Sequence, residues 1–277
     1  MHSRWRNIFA YLIVGGTAWL AVLGSTAQAR SEPTFLLVHG ALLTSSVWSA
    51  VQSELQTLGH NVVTLDVPGR AQDGISPKAV TLDLATSKVC RVAALQHDPV
   101  ILVGHSQGGA LITHAVGKCP NSIVGLIFVA AVVPKSGTTA FQDLSPEDEE
   151  WFTQVAALDE ENGIWRITSP ERIGAAFMAD VPRQAIARWI PTFVNEPSEL
   201  GNGTILYDTK EWNKIPKVYI ETRQDRIIGL PTQRRIQVTH HFDAVFSIDA
   251  SHSPFLSKPK ELSKHIIDGL GIIQSKH

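Results

Sequence analysis

The fold is decided by the stretch Val100-Ile-Leu-Val-Gly-His-Ser-Gln-Gly108. Its first four residues are aliphatic, as expected for a short strand that is buried on both faces. A helical pattern starts at Gln107, so Ser106 lies on a sharp turn between a strand and a helix. Glycines on both sides of the serine allow such a turn, because side chains there would collide. The pattern therefore predicts a nucleophile elbow, with the Ser106 hydroxyl above the end of a sheet.

On both sides of this elbow, short apolar runs alternate with longer helical patterns. Strands are predicted at residues 34–39, 61–66, 100–104, 123–130, 217–222 and 244–249. Helices are predicted at about residues 46–58, 81–96, 107–117, 231–240 and 259–270. This alternation is typical of a mostly parallel sheet that is covered by helices on both faces. We therefore expect an α/β fold.

The strand pattern stops between about residues 135 and 214, which predicts a helical insertion. Ser145-Pro146 and Ser169-Pro170 each open a helix with a capping residue and a first-turn proline, followed by acidic residues. The insertion is rich in aromatic residues, namely Trp151, Trp165, Trp189, Trp212, Phe141, Phe152, Phe177 and Phe193. Any one ring can serve simply to pin the insertion onto the sheet. Together they suggest the apolar wall of a pocket.

A serine hydroxyl needs a base within hydrogen-bond reach, usually a histidine held in place by a carboxylate. In hydrolases with a nucleophile elbow, the acid follows a late strand and the histidine follows the last strand. Asp225 comes soon after the predicted strand 217–222, and His252 follows the predicted strand 244–249. We therefore predict that Ser106, Asp225 and His252 form a catalytic triad.

Two other carboxylates compete with Asp225 for the role of the acid. Glu221 lies inside the predicted late strand, and Asp249 lies at the end of the last one. Asp249 has a second interpretation, which is support of the loop that carries His252. His105 is adjacent to the nucleophile, and we predict that it is a buried orienting residue without a direct catalytic role.

Attack on a carbonyl carbon also requires backbone N–H donors where negative charge collects on the carbonyl oxygen. One donor is expected from Gln107, the residue after the nucleophile, and the other from the loop after the first strand. That loop reads His39-Gly40-Ala41. We predict the N–H of Ala41 as the second donor of this oxyanion hole, because Gly40 lets the chain turn close to the site.

The N-terminal segment differs in composition from the rest of the chain. Two arginines precede an apolar run at residues 8–24, and small residues follow it up to Ala29. This is the pattern of a secretory signal peptide at residues 1–29, with cleavage after Ala29. The remaining residues, 30–277, would then form a secreted or periplasmic protein. A retained membrane anchor is the alternative, because the apolar run approaches the ~20 residues that span a bilayer.

Cys90 and Cys119 are the two cysteines of the chain. They lie on predicted helices on either side of the nucleophile strand, and in an oxidising compartment they could form one disulfide. Two buried, reduced side chains are the alternative that we favour.

Composition and charge limit the class of protein. The chain is 44% hydrophobic and 18% charged, which is typical of a folded globular protein. Its formal net charge of −2 indicates no cluster of positive charge for binding a phosphate backbone. We do not expect nucleic acid as a partner. The 277 residues are enough for one α/β domain.

Several short blocks resemble one branch of a known family. They are Leu37-Val-His-Gly-Ala41, Trp48, Asp66-Val-Pro-Gly69, Gly104-His-Ser-Gln-Gly-Gly109, Asp225-Arg-Ile-Ile228 and His252-Ser-Pro-Phe-Leu-Ser257. Through them the chain resembles the methylesterase and hydroxynitrile lyase branch of the α/β-hydrolases. The resemblance implies an α/β-hydrolase fold, with a mostly parallel sheet flanked by helices and a helical cap insertion. It also implies hydrolysis of a small apolar or aromatic carboxylic ester through an acyl-enzyme, without metal or cofactor.

Two positions separate the esterases of this branch from the lyases. The lyases carry Thr where this chain has Gly40, and Lys directly after the catalytic histidine, where this chain has Ser253. Ser253 cannot supply the positive charge that holds leaving cyanide, so the resemblance favours an esterase. The alternatives are a non-catalytic small-molecule receptor, and a lyase or cofactor-free dioxygenase on the same scaffold.

Overall fold

A computed structural model describes residues 32–70 and 73–276 of the chain. The predicted signal peptide at residues 1–29 lies outside the described residues. Within the two described ranges, no helix combines the length and the apolar character needed to cross a membrane.

A six-stranded parallel sheet forms the centre of the fold. The strands of the described residues are β1 (Thr34–Val38), β2 (Val62–Leu65), β3 (Val100–His105), β4 (Ile123–Val129), β5 (Ala156–Asp159), β6 (Ile164–Ile167), β7 (Glu196–Pro197), β8 (Lys217–Thr222) and β9 (Ala244–Ile248). The sheet has the strand order β2-β1-β3-β4-β8-β9, and every neighbouring pair is parallel. All six strands predicted from the sequence are therefore confirmed.

Helices lie on both faces of this sheet and in the insertion between β4 and β8. They are α1 (Ser49–Thr57), α2 (Leu82–Ala94), α3 (Gly108–Lys118), α4 (Pro146–Thr153), α5 (Ile173–Phe177), α6 (Arg183–Trp189), α7 (Glu199–Asn202), α8 (Thr209–Lys214), α9 (Leu230–Thr239), α10 (Pro254–Ser257) and α11 (Pro259–Gln274). Successive residues of a strand point to opposite faces. In β4, Ile127 accordingly faces Gly269 of α11, whereas Phe128 faces Gly109 of α3. The predicted α/β-hydrolase architecture is confirmed.

The insertion between β4 and β8 is only partly helical. The predicted helical insertion at about residues 135–214 contains α4 to α8, and it also contains a small antiparallel sheet of β5, β6 and β7 that the sequence analysis did not predict. Strands of four and two residues are too short to show the alternation that identifies a strand in a sequence. The cap predicted at Ser145 is present, since its hydroxyl accepts from the N–H of Asp148 and the Asp148 carboxylate accepts from the N–H of Ser145.

The two cysteines form a disulfide. Cys90 in α2 is bonded to Cys119 at the end of α3, with the Cα atoms 5.8 Å apart. The favoured alternative of two reduced side chains is therefore wrong. The disulfide can form because α2 packs beside α3, which brings the two Cα atoms within the separation that a disulfide spans. The bond joins two residues that lie 29 positions apart, and the segment between them contains β3 and the turn at Ser106.

We predict that the double variant Cys90→Ser/Cys119→Ser has a free energy of unfolding lower by about 3 kcal/mol. A crosslink of this length removes that much chain entropy from the unfolded state. Urea denaturation of both proteins measures the difference. Dithiothreitol should destabilise the wild-type protein to a similar extent and leave the double variant unchanged. Equal stabilities of the wild-type and double-variant proteins would contradict this account.

Candidate active site

Ser106 lies at the turn between β3 and α3 in a conformation that its surroundings must hold. Its φ of 54° is in the left-handed region, which costs a residue with a side chain about 1–3 kcal/mol. Its N–H donates to the carbonyl oxygen of Val129 at 3.1 Å, and its own carbonyl accepts from Gly109 at 2.9 Å. A Cβ at Gly108 would lie 2.6 Å from the carbonyl oxygen of Val38, so α3 can begin there only with glycine.

The structure brings the three predicted triad residues together. Nε2 of His252 lies 3.0 Å from Oγ of Ser106, and Nδ1 of His252 lies 2.8 Å from Oδ2 of Asp225. With the Nδ1 proton directed to the carboxylate, Nε2 presents a lone pair to the serine hydroxyl. The His252 and Asp225 side chains are fully buried, whereas Ser106 borders a pocket.

The carboxylate of Asp225 is held by several further donors. Oδ2 accepts from Oγ1 of Thr222 at 2.9 Å, and Oδ1 accepts from the backbone N–H groups of Ile227 and Ile228 at 2.8 and 3.0 Å. Hydrogen bonds to a carboxylate are among the stronger ones in proteins. Together they fix the direction in which Asp225 faces His252.

The two competing carboxylates are engaged elsewhere. Glu221 accepts hydrogen bonds from side chains of α9 and β9. Asp249 accepts a hydrogen bond from Gln224 at 3.0 Å and has a half-exposed side chain. The structure thus favours Asp225 over both of them as the partner of His252.

Gln233 of α9 is a site residue that the sequence analysis missed. Its buried side chain accepts from the N–H of Thr222 at 3.0 Å and donates to the carbonyl oxygens of Thr222 and Ile228 at 3.0 and 2.7 Å. It thereby ties both ends of the Asp225 turn to α9. A glutamine in a helix is usually exposed. The one sequence signal was its spacing of three from the apolar Ile236, which places both on the same helix face.

His105 packs directly against His252. Its Nε2 is 2.8 Å from the carbonyl oxygen of His252, and the two ring centroids are 4.6 Å apart. Its edge contacts are with Trp48 and Phe255. Burial, reinforced by the neighbouring His252, holds the pKa of His105 well below its usual range, so its ring is neutral. This neutral ring donates from Nε2 and holds the His252 loop, in agreement with the predicted orienting role.

Ala41 and Gln107 both border the pocket at Ser106. Within residues 32–70 and 73–276, neither backbone N–H donates to another protein group, so both are available to an oxygen atom in the pocket. The loop that contains Ala41 comes very close to Ser106 at Gly40. A Cβ at that position would lie 2.7 Å from the Cβ of Ser106, so this approach requires glycine.

The described residues offer no ligand cluster for a metal ion. Protein metal sites generally use several His, Cys, Asp or Glu side chains that converge on one point. Residues 32–70 and 73–276 contain no group of three or more such side chains that could hold a metal ion.

The pocket at Ser106 is small and apolar. Its volume is about 40 Å³, and the insertion contributes Phe141, Phe152 and Phe177 to its wall. Of the eight aromatic residues predicted to form an apolar wall, these three phenylalanines line the pocket, whereas Phe193 and the four tryptophans do not. Trp165 packs behind the wall against Phe141 and Phe152, with ring centroids 5.5 and 5.3 Å apart. Trp212 instead stacks on Tyr207, which does not line this pocket.

A larger apolar cavity lies on the side of the Phe177 ring that faces away from this pocket. It is open to solvent, has a volume of about 560 Å³, and is lined in part by Ile173 and Phe193. The ring of Phe193 packs edge-on against Phe177, with centroids 5.4 Å apart. The Phe177–Phe193 pair therefore stands between this cavity and the pocket at Ser106.

Comparisons with known proteins agree with this architecture. Residues 35–265 match the alpha/beta hydrolase family. The "Pyrethroid hydrolase" of Sphingobium wenxiniae is 30% identical over 241 residues, which cover 84% of this chain and 86% of the relative. "Methylesterase 2" of Arabidopsis thaliana is 25% identical over 271 residues, covering 87% and 97%. The crystal structure of a pyrethroid hydrolase from Sphingobium faniae has a TM-score of 0.77 at 26% identity, covering 86% of this chain and 97% of that one.

We predict that Gln233→Leu lowers the free energy of unfolding by about 2–4 kcal/mol, because it leaves buried backbone groups of Thr222 and Ile228 without partners. Gln237→Leu is the matched control on the same helix. It removes one hydrogen bond to Glu221 at a half-buried position, and should cost less than about 1 kcal/mol. Urea unfolding compares the two variants. Equal losses would show that Gln233 does not anchor the Asp225 turn.

Proposed function

The chain belongs to the alpha/beta hydrolase family, and we propose that it is a serine esterase acting on small apolar or aromatic carboxylic esters. The observation that carries this proposal is the hydrogen-bonded series Ser106–His252–Asp225, with distances of 3.0 and 2.8 Å. Relatives named as a pyrethroid hydrolase and a methylesterase support ester cleavage as the reaction.

In the first half of the reaction, Oγ of Ser106 attacks the carbonyl carbon of the ester while Nε2 of His252 takes its proton. The carbonyl oxygen becomes negatively charged and accepts hydrogen bonds from the N–H groups of Ala41 and Gln107. Each such donor is worth about 10²–10³ in rate. The histidine then gives its proton to the leaving alcohol, and an ester of Ser106 with the acyl group remains.

In the second half, a water molecule takes the place of the alcohol. Nε2 of His252 accepts a proton from this water as it attacks the acyl carbon, and then returns a proton to Oγ of Ser106. The imidazolium that forms in each half is stabilised by the fixed carboxylate of Asp225. The chain supplies every proton acceptor and donor that this cycle needs.

The pocket suggests the size of the group that is bound at the reacting carbon. A volume of about 40 Å³ holds only a few non-hydrogen atoms, since one water requires about 10–15 Å³ on this measure. Its phenylalanine wall favours apolar groups. A short acyl or alcohol part fits this pocket, and the other part of the ester extends beyond it.

Two positions support an esterase over a lyase. A side chain at Gly40 would meet Ser106 at 2.7 Å, so the threonine of the lyases would require this loop to move. Ser253, where the lyases carry lysine, is fully buried and uncharged. The site therefore lacks the positive charge that would stabilise leaving cyanide.

We also propose that the protein is exported from the cytoplasm. The signal-peptide pattern at residues 1–29 and the Cys90–Cys119 disulfide both suit an exported protein, because disulfides persist in oxidising compartments. A secreted or periplasmic esterase is the resulting proposal. Recovery of the protein outside the cytoplasm, with a mature N-terminus at Arg30, would support it.

We predict that Ser106→Ala lowers kcat/KM for p-nitrophenyl acetate at least about 10³-fold, because no other group supplies the nucleophile. A fluorophosphonate probe should label the wild-type protein at Ser106 and leave this variant unlabelled. Ser253→Ala is the matched control, since it removes a buried hydroxyl beside His252 that the mechanism does not use. It should keep more than about half of the activity.

Two results would contradict the proposed function. One is full hydrolysis by the Ser106→Ala variant, which would place the nucleophile elsewhere. The other is saturable binding of ester analogues by the wild-type protein without turnover, which would indicate a receptor.

The size of the pocket gives a separate prediction. Phe152→Leu should raise the rate on p-nitrophenyl butanoate relative to acetate by about tenfold, because one or two additional methylenes then fit the pocket. Phe246→Leu, in β9 and against His265, is the matched control and should leave this ratio unchanged. The ratio of kcat/KM values for the two esters is the measurement. An unchanged ratio in Phe152→Leu would show that this wall does not limit substrate size.

A further inference from the structure

Glu196 of β7 is a buried carboxylate of the insertion that contacts both sides of the oxyanion hole. Its side chain is 1% exposed. Oε2 accepts from the backbone N–H of Leu42 at 2.8 Å, and Oε1 accepts from Nε2 of Gln107 at 3.0 Å. Leu42 directly follows Ala41, and Gln107 carries the other N–H donor of the hole. One side chain thus holds both donor-bearing segments.

Arg70 completes this contact. Its Nη2 lies 2.6 Å from Oε2 of Glu196, and its Nε donates to the carbonyl oxygen of Leu43 at 3.2 Å. The arginine side chain is only 3% exposed. Burial raises the pKa of Glu196, and the adjacent guanidinium and the N–H of Leu42 oppose that effect. A buried charge pair of this kind adds little to the free energy of unfolding, but it holds the two side chains in one relative position.

The backbone at Leu42 shows why such a contact is needed. Its φ is 61°, a left-handed conformation that a leucine adopts at a cost of about 1–3 kcal/mol. The insertion is hydrogen-bonded to both backbone polar groups of Leu42. Glu196 accepts from its N–H, and the N–H of Val194 donates to its carbonyl oxygen at 2.9 Å. The turn after Ala41 is therefore held in its strained form by residues 194–196.

We propose that Glu196, held by Arg70, is a positioning residue of the oxyanion hole. Its carboxylate fixes the turn after Ala41 and the side chain of Gln107, so that both N–H donors are directed to one oxygen atom. This inference rests on the proposed esterase function. It assigns the insertion a part in catalysis that goes beyond enclosing the pocket.

The rate depends on this arrangement because the donors act at short range. They must lie about 2.7–3.1 Å from the oxygen as it becomes charged. A misplacement of about 1 Å can reduce the rate 10²-fold. Release of Leu42 from its left-handed conformation would rotate the Ala41–Leu42 peptide and thereby shift Ala41, whose N–H lies one peptide earlier.

The test is Glu196→Gln. The amide is uncharged, so its contact with the Arg70 guanidinium is weaker, and its NH2 group faces the amide of Gln107, which must turn over and so leave its present position to accept from it. We expect kcat for p-nitrophenyl acetate to fall about 10- to 100-fold, with KM changed less than about threefold. Affinity for benzeneboronic acid, which forms a tetrahedral adduct with the serine, should fall by the same factor as kcat/KM.

Glu221→Gln is the matched control. Glu221 is also a buried carboxylate that accepts several hydrogen bonds, but it contacts α9 and β9 and not the oxyanion hole. Its kcat and its affinity for the boronic acid should stay within about twofold of the wild-type values. Thermal unfolding of both variants reports whether each is folded at the assay temperature.

A second variant keeps the inference testable if Glu196→Gln does not fold. Arg70→Lys retains the positive charge but cannot hold Glu196 and the Leu43 carbonyl with the same planar group. It should lower kcat and boronic acid affinity in parallel, by about three- to tenfold. A role limited to fastening the insertion would lower stability in these variants without this parallel loss.

The outcomes separate this inference from the proposed function. An active wild-type protein whose folded Glu196→Gln and Arg70→Lys variants retain kcat and boronic acid affinity would overturn the inference alone. A wild-type protein that neither hydrolyses esters nor is labelled at Ser106 would overturn the proposed function, and this inference with it.

Discussion

Ser106 adopts a φ of 54°, a strained conformation that a serine keeps only where the surrounding structure holds it. The contacts that hold it come from the two strands that flank β3 in the sheet. The carbonyl oxygen of Val129 in β4 accepts a hydrogen bond from the N–H of Ser106. The end of β1 lies so close to the start of α3 that only a glycine fits at Gly108. The strand order β1-β3-β4 is thus what makes the turn possible, and the same parallel arrangement places Asp225 and His252 at the corresponding ends of β8 and β9.

The sequence identified the parts of the site that are attached directly to this sheet. Buried parallel strands are nearly continuous apolar runs, so their ends, and with them Ser106, Asp225 and His252, could be located by counting along the chain. Glu196 and Gln233 could not be located in this way. Glu196 contacts Leu42, 154 positions earlier, and a glutamate or glutamine carries no local sign that it is buried. The disulfide likewise depends on how two helices pack, and β5 to β7 are too short to leave a pattern.

The insertion and the sheet domain contribute to one site in different ways. The sheet positions Ser106, Asp225 and His252, the proposed reacting groups, and the insertion supplies three phenylalanines that form the wall of the pocket at Ser106. The insertion also contacts the loop that carries His252: the hydroxyl of Ser251 donates to the carboxylate of Asp180. One phenylalanine of this wall, Phe177, also contacts the ring of His252, with centroids 5.4 Å apart. The insertion therefore contacts the predicted triad as well as the turn at Leu42, whose N–H donates to Glu196.

The Cys90–Cys119 bond would keep the chain in one covalent piece if a protease cut it near Ser106. The peptide between the two cysteines and the disulfide together form a closed covalent ring, and Ser106 is a member of that ring. A single cleavage anywhere between residues 90 and 119 would open the ring without dividing the molecule. Both fragments would remain joined through sulfur, with β1 and β2 on one and β4, β8 and β9 on the other. The protein would therefore keep every strand of its central sheet in one covalent unit after such a cut.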